Sequence, residues 1–443
     1  MLVRAATCAF LAALAPPALA QTPACDPANG CVTGLSAPDI FAIAERYAAA
    51  GRPASAEALL LGLTRDPNQD YRAEARFRLA LLREAQGDQR GAIEWLKALL
   101  DDQPNAGRPR LELARLLAAT GDEPGARREL RRAGAAGLPD DVARVVDRFV
   151  TALRSVRPLG GAIELAIAPD SNINRATTRE RVDTVVAPLT LSRDARATSR
   201  IGVSLSAQAF ARGDISDDVA VLSRISTRAD FYGKSSFNDL VLTLATGPEF
   251  RIGGARVRPA VIAQRRWFGG DLFSESYGGS VNILKPLDRV SQIEGEVTML
   301  ETRYRPSPVQ NGLLADLSLA YDRAFSPRFS MRIGMRGTRQ DAGIDFLETN
   351  SGSLDLLASR AFGKQLVFVQ LSGFRLRADA RDPLFGVTRK DKRLDVTAGA
   401  ILRQFSWRGL APLVRVIHTR SDSTVPIFDF KRTRLEFAIS REF

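Results

Sequence analysis

From residue 161 onward, apolar and polar residues alternate with a period of two. Ile201, Val203, Leu205, Ala207 and Ala209 are interleaved with Arg200, Gly202, Ser204, Ser206 and Gln208. The pattern recurs at Ile293, Val297 and Met299, at Leu313, Ala315, Leu317, Leu319 and Tyr321, and at Phe329, Met331, Ile333 and Met335. Alternation of this kind predicts strands with one apolar and one polar face. Candidate strands fall at 161–169, 197–212, 217–231, 236–247, 255–267, 275–285, 289–303, 310–325, 327–339, 351–362, 364–378, 392–407, 410–422 and 427–443, fourteen in all and an even number.

Tight connections (Gly213-Asp214, Lys285 to Asp288, Ser326-Pro327, Gly363-Lys364, Arg408-Gly409) alternate with longer ones at 170–196, 340–350 and 379–391. The segment 248–254 reads as longer than its class, and 232–235 and 423–426 as shorter. Transmembrane β-barrels have this asymmetry between short periplasmic turns and longer outer loops. The strands are longer than the five or six residues usual in a sandwich. Aromatics near their ends (Phe210, Phe231, Tyr232, Trp267, Phe268, Tyr304, Tyr321, Phe325, Phe362, Phe405, Trp407) fit interfacial girdles.

Before residue 161 the periodicity is helical and repeats. Gly51, Gly87 and Gly121 are each followed five residues later by alanine (Ala56, Ala92, Ala126), at spacings of 36 and 34, and the units close with Pro67, Pro104 and Pro139. Leu79, Leu82, Leu96, Leu99, Leu113 and Leu116 supply apolar faces. A helix–turn–helix period near 34 with small residues at the crossing resembles the tetratricopeptide repeat, although that family's Trp and Tyr landmarks are largely missing. Stacked repeats form a concave groove for a peptide or protein; the bland alternative is a spacer without ligand.

Residues 1–20 read as a signal peptide: Arg4, an apolar run from Ala5 to Ala15, and Ala18-Leu19-Ala20 as the cleavage site. Cys25 and Cys31 then remain as an even pair in an oxidising compartment, which favours a small disulfide loop in the linker 21–37 over two free thiols. The expected organisation is a signal (1–20), a linker (21–37), an N-terminal tetratricopeptide-like α-solenoid (38–155) and a 14-stranded antiparallel transmembrane β-barrel (161–443).

Composition sharpens this reading. Mean hydropathy is −0.10, as expected when lipid-facing and lumen-facing residues average out. The 62 basic against 50 acidic residues give a formal +12, but only seven are Lys, and no run of five basic residues occurs, which argues against nucleic-acid binding. One histidine, His418, leaves little room for triad, acid–base or transition-metal chemistry and reads as a barrel-wall residue. No enzyme activity, cofactor or metal is expected.

At the end of the first strand stands Ala168-Pro169-Asp170-Ser171-Asn172-Ile173-Asn174-Arg175-Ala176-Thr177. Asp170-x-Asn172-x-Asn174 opens like a calcium loop, but Arg175 replaces the glycine at position six and Arg181 the glutamate at position twelve. A turn role for the short polar side chains and a functional one remain open. The chain closes on Leu435-x-Phe437-x-Ile439-x-Arg441-x-Phe443, which resembles the signal read by the barrel-assembly machinery, with Arg441 departing from the usual apolar residue.

An export signal, helical repeats, a fourteen-stranded barrel and the stretch Asp170, Asn172, Asn174, Arg175 together resemble the surface lipoprotein assembly modifiers, also grouped as type XI secretion outer-membrane proteins. The resemblance covers roughly residues 40–443, in architecture more than in identity. It implies an outer-membrane translocator with periplasmic repeats that moves a surface lipoprotein or secreted client to the cell surface. Partners would include that client, a periplasmic chaperone, the barrel-assembly machinery and outer-membrane lipid. A polysaccharide-export porin, which also joins repeats to a barrel, is the rival reading.

Overall fold

The structure, a computed structural model, describes residues 24–26, 30–32, 34–120, 122–134, 159–216, 218–363, 365–405 and 410–442. The expected signal peptide (residues 1–20), Gly121, Pro139, Trp407 and Phe443 therefore lie outside the described residues. The backbone of 24–26 pairs antiparallel with 30–32, setting Cys25 opposite Cys31. The chain divides into two compact units, Met1–Ala75 and Arg76–Phe443.

Six helices are described: α1 (Ala37–Ala49), α2 (Pro53–Leu63), α3 (Gln69–Ala85), α4 (Gln89–Asp102), α5 (Gly107–Ala119) and α6 (Glu123–Gly134). A capping box of Ser36 and Asp39 starts α1. Gly51 and Gly87 follow α1 and α3 with φ of +70° and +81°, a conformation glycine adopts without a Cβ clash. Ala56, Ala92 and Ala126 are each 0% exposed, so a larger side chain at these positions would push its helix off its neighbour. Leu79, Leu96, Leu99, Leu113 and Leu116 are buried as the helical spacing predicts, and Leu82 is half-buried. No described helix is long and apolar enough to cross a membrane.

Fourteen strands form one closed antiparallel barrel in sequence order. They are β1 (Leu159–Asp170), β2 (Arg200–Asp214), β3 (Val219–Tyr232), β4 (Asp239–Ile252), β5 (Ala255–Phe268), β6 (Asp271–Pro286) and β7 (Ser291–Tyr304). The second half comprises β8 (Gly312–Ser326), β9 (Phe329–Gln340), β10 (Thr349–Phe362), β11 (Gln365–Arg381), β12 (Thr388–Leu402), β13 (Ala411–Ser423) and β14 (Phe430–Glu442). β14 pairs with β1 to close the ring, leaving no free sheet edge. The apolar face turns outward: Ile163, Leu165, Ile167, Leu317, Leu354, Leu394, Val416, Phe437 and Ile439 are all exposed.

Several boundaries differ from the sequence reading. β4 runs on to Ile252, and the expected loop 248–254 is a two-residue hairpin in which Gly253 and Gly254 both have positive φ, 55° and 77°, as a type I′ turn demands. Gly269 and Gly270, at +69° and +100°, likewise let β6 begin at Asp271, four residues before the expected start. β12 ends at Leu402, and a short 3-10 turn, Arg403–Phe405, follows where strand was expected, so Phe405 is not a strand residue. β14 begins at Phe430 after a 3-10 turn at Pro426–Phe428.

The start of β1, the end of β14 and the tight connections share one mouth, apart from the Gly269-Gly270 hairpin, which lies at the other. The opposite mouth carries the 29-residue connection 171–199 and shorter loops at 233–238, 305–311, 341–348, 382–387 and 424–429. The helices of the second unit meet the tight-turn mouth: Asp101 at the end of α4 pairs with Arg403 at 3.3 Å, and Arg131 of α6 donates to Gln292 on β7 at 2.7 Å.

Candidate functional site

Inward positions on β1, β2, β3 and β14 converge near the loop-bearing mouth. Arg434 on β14 is 5% exposed and lies among four strands. Its guanidinium donates to Glu436 at 2.7 Å, to Asp230 on β3 at 2.7 Å, to the Tyr232 hydroxyl at 3.3 Å and to Ser204 on β2. Asp170, at the end of β1, has a carboxylate that is 0% exposed. It accepts from Arg432 Nε at 2.9 Å and faces Arg434 at 3.6 Å. Nearer the other mouth, Arg415 on β13 donates to Glu164 on β1 at 2.8 Å and pairs with Glu436. Charge-assisted bonds thus tie β13, β14, β1, β2 and β3 into one inward network, each buried charge holding an opposite partner.

The network sits where the backbone ladder is weakest. The register between β14 and β1 runs from Arg434 opposite Asp170 to Phe437 opposite Ile167, with no pairing at 435 and 436. Their counterparts are Ala168 and Pro169, and proline has no N–H to give. Side chains therefore reinforce the closing seam where the main chain does not. Towards the tight-turn mouth the same seam is packed by buried Ala166, Leu413 and Ala438, with Phe368 and Ile401 against them.

The stretch after β1 spends its polar side chains on the backbone. Asn172 N–H donates to Asp170 Oδ1 at 3.0 Å, an Asx-type turn. The Asn172 amide donates to the carbonyls of Ala176 and Lys431 at 2.8 and 3.0 Å and accepts from Ala176 N–H. Asn174 donates to the carbonyls of Asp194 and Arg196 and accepts from Thr198 N–H. Asp170 and Asn172 thus fasten β1 to β14, while Asn174 fastens the two ends of 171–199 to each other. Among the described residues, Arg175 is the one non-glycine with positive φ, +50°. Its side chain is accessible to solvent yet enclosed among Arg432, Arg393, Asp230 and Tyr232, as in a water-filled lumen. That enclosure, with Arg432 and Arg393 close by, holds its pKa below the ordinary value.

The connection 171–199 spreads over its mouth. Val185 N–H donates to Leu384 at 2.9 Å, Arg179 faces Asp429 at 3.4 Å, and Lys234 pairs with Asp194 at 2.5 Å. It therefore reaches from the β3–β4 loop to the β11–β12 loop. Beneath it the lumen wall is polar. Arg332 bridges Asp322 and Glu294 at 3.0 and 3.2 Å, Asn282 donates to Glu294 and Glu296, and Arg258 and Arg212 flank Glu249.

At the tight-turn mouth the helices carry their own buried charges. Arg110 and Glu129 form an ion pair, Arg110 also donates to Pro104 O at 2.6 Å, and Arg132 reaches Glu129 at 2.8 Å. Burial alone would raise the Glu129 pKa, but Arg132 and Arg110 outweigh it and hold it below the ordinary 4.5. Burial pushes Arg131 down to about 10 against the pull of Asp322.

The residues singled out from sequence are thus distributed. Asp170, Asn172, Asn174 and Arg175 gather at the loop-bearing end of the seam. Phe437 and Ile439 point outward on β14, about half exposed, with Leu435 partly buried. His418 is exposed on β13 and bonds Thr433 at 2.9 Å. Tyr232 is a correction: it is 8% exposed and reaches Arg434 inside the barrel, so it is not a girdle residue. Arg432, Arg434, Glu436, Asp230 and Ser204 were not singled out, since their partners lie up to 262 residues away.

A closed barrel with an apolar outer wall, a polar lumen and no free edge is an outer-membrane β-barrel, and its class is that of transport barrels. The model of the family "Surface lipoprotein assembly modifier" matches residues 162–443. The chain belongs to that family. Among curated protein sequences none matches it. Solved structures with a similar barrel include OccAB4 of Acinetobacter baumannii (8% identity, 65% of this chain and 99% of that one, TM-score 0.33). Others are the toluene transporter TodX of P. putida (10%, 64% and 90%, TM-score 0.37) and the monoaromatic hydrocarbon channel CymD (10%, 66% and 91%, TM-score 0.39).

Proposed function

We propose that the protein moves a surface lipoprotein or secreted client from the periplasm to the cell surface. In this reading the helical region stands in the periplasm and captures the client, or a chaperone carrying it, and the barrel provides passage. The observation that carries it is the attachment of α4 and α6 to the tight-turn mouth through Asp101–Arg403 and Arg131–Gln292. Anything held by these helices is delivered to the entrance of a polar lumen whose other mouth is covered by 171–199.

Family membership supports surface lipoprotein assembly as the task. Short turns on the periplasmic side and long loops outside follow the general rule for such barrels. The exported N-terminus, the repeat character of 38–155, a Cys25–Cys31 disulfide and the reading of Leu435, Phe437, Ile439 and Phe443 by the assembly machinery all belong to this proposal. Transport would draw on client folding or capture outside, and purified protein should show no ATPase activity. Deleting residues 38–155 while the barrel still inserts should abolish client display; unimpaired display would contradict the assignment.

A further inference from the structure

Near the loop-bearing mouth the outward face of the barrel is apolar on β1 to β4, where Ile201 and Phe231 are exposed, and carries charges from β5 onward, in two different ways. Around β5 to β9 the charges neutralise one another. Arg265 meets Glu275 at 3.0 Å, Arg303 meets Glu301 at 2.9 Å, Arg305 shares Glu275, and Arg339 is held by Asp341 at 2.7 Å as well as by Glu348 and Asp379. Around β11 and β12 they do not. Arg375 stands directly opposite Lys392, and Arg377 directly opposite Lys390. All four side chains are exposed, and none has an ion-pair partner among the described residues. On β13 and β14 the same arrangement recurs as Arg420 opposite Lys431, relieved only by Asp422, which Arg420 meets at 3.1 Å.

Like charges directly opposite across a ladder destabilise a sheet. Asp422, opposite Lys392 on β13, and Asp379, beyond Arg377 on β11 and already engaged by Arg339, offset only part of the six cations on this wall, which leaves a net positive patch that favours an anion. Their height identifies it. Each strand passes from exposed apolar residues to these cations within two to four positions: Val369 and Leu371 precede Arg375 and Arg377, and Leu394 follows Lys390 and Lys392. The patch therefore begins where the apolar band ends, at headgroup level. Guanidinium and ammonium groups in that position match phosphate monoesters, with arginine able to bind two oxygens at once.

We propose that Arg375, Arg377, Lys390 and Lys392, extended by Lys431, form a binding site for the phosphates of lipopolysaccharide in the outer leaflet. The choice of outer leaflet rests on the orientation proposed above. The site anchors the β11–β14 side of the barrel, next to the closing seam, to a lipid with two phosphates per headgroup, and fixes the depth at which that side sits.

The test uses purified full-length protein in detergent and measures its affinity for diphosphorylated lipid A, the same lipid A stripped of phosphate, and phosphatidylglycerol. The expected order is diphosphorylated lipid A first, with the dephosphorylated form at least about tenfold weaker, given that each basic side chain near an anionic surface contributes roughly a fivefold factor. The quadruple variant R375Q/R377Q/K390Q/K392Q should lose that preference, while the control pair R265Q/E275Q on the neutralised side keeps it; heat-modifiable gel mobility reports that each variant is folded. Equal affinity of the unaltered protein for both forms of lipid A overturns the proposal, as does unchanged preference in the folded quadruple variant. Preference for phosphatidylglycerol over lipid A also overturns it, by pointing to the inner leaflet. A membrane-impermeant maleimide on V186C, in the outer connection, reports orientation separately. Client display is not read, so the translocation reading and this one fail independently.

Discussion

Arg434 shows how one side chain can close a ring. With its head among Asp230, Tyr232, Ser204, Asp170 and Glu436, it is the hub of the bonds that span β14, β1, β2 and β3. Removing it leaves Asp230 without its ion-pair partner, while Asp170 keeps Arg432 and Glu436 keeps Arg415, and breaking a buried pair by removing one partner costs about 3 kcal/mol or more. R434A should therefore lower the barrel's unfolding free energy, read from urea titration in detergent, by that amount; a loss under about 0.5 kcal/mol, within the usual surface range, would contradict the network's importance. The sequence read β14 by its outward residues, Leu435, Phe437 and Ile439, because an apolar period is visible in one strand alone. The inward set Arg432, Arg434 and Glu436 has meaning only beside Asp170 and Asp230, which no local pattern brings near. Asp170, Asn172 and Asn174 were legible as a motif, but not as a staple, since Asn172 and Asn174 donate to main-chain carbonyls at Ala176, Lys431, Asp194 and Arg196 and Asp170 accepts from the distant Arg432.

At the level of elements, the connection 171–199 is held to its own base by Asn174. N174A removes both amide bonds to 194 and 196 and the acceptor for Thr198, and should speed protease nicking near the exposed Val186 without changing the barrel's heat-modifiable mobility. An unchanged nicking rate would count against the staple. For the helices, the sign of the pH effect follows from Glu129. Its folded pKa lies below the ordinary 4.5, so its contribution is fully present above that value and is lost as pH falls through the folded one. Far-UV circular dichroism of thermal unfolding should show the helical transition falling as pH drops below about 4.5, and E129Q should flatten that dependence. Strand number and order were legible because alternation is a local property. The hairpins at Gly253-Gly254 and Gly269-Gly270 were missed because paired glycines resemble a loop in sequence, whereas their positive φ makes them the tightest turns available.

For the whole molecule, a helical region meets one mouth of a barrel through Asp101–Arg403 and Arg131–Gln292, and a long connection covers the other. Under the proposed function, that arrangement runs from capture to display, in keeping with the chain's membership of the surface lipoprotein assembly modifier family. R403E, which sets like charges against each other at Asp101, should reduce client display more than it reduces barrel insertion. The most direct measurement compares client exposed to external protease in cells carrying the full chain with cells carrying a form lacking residues 38–155, at matched levels of inserted barrel. The account predicts that display falls to the level seen without the protein; display equal to that of the full chain would contradict it.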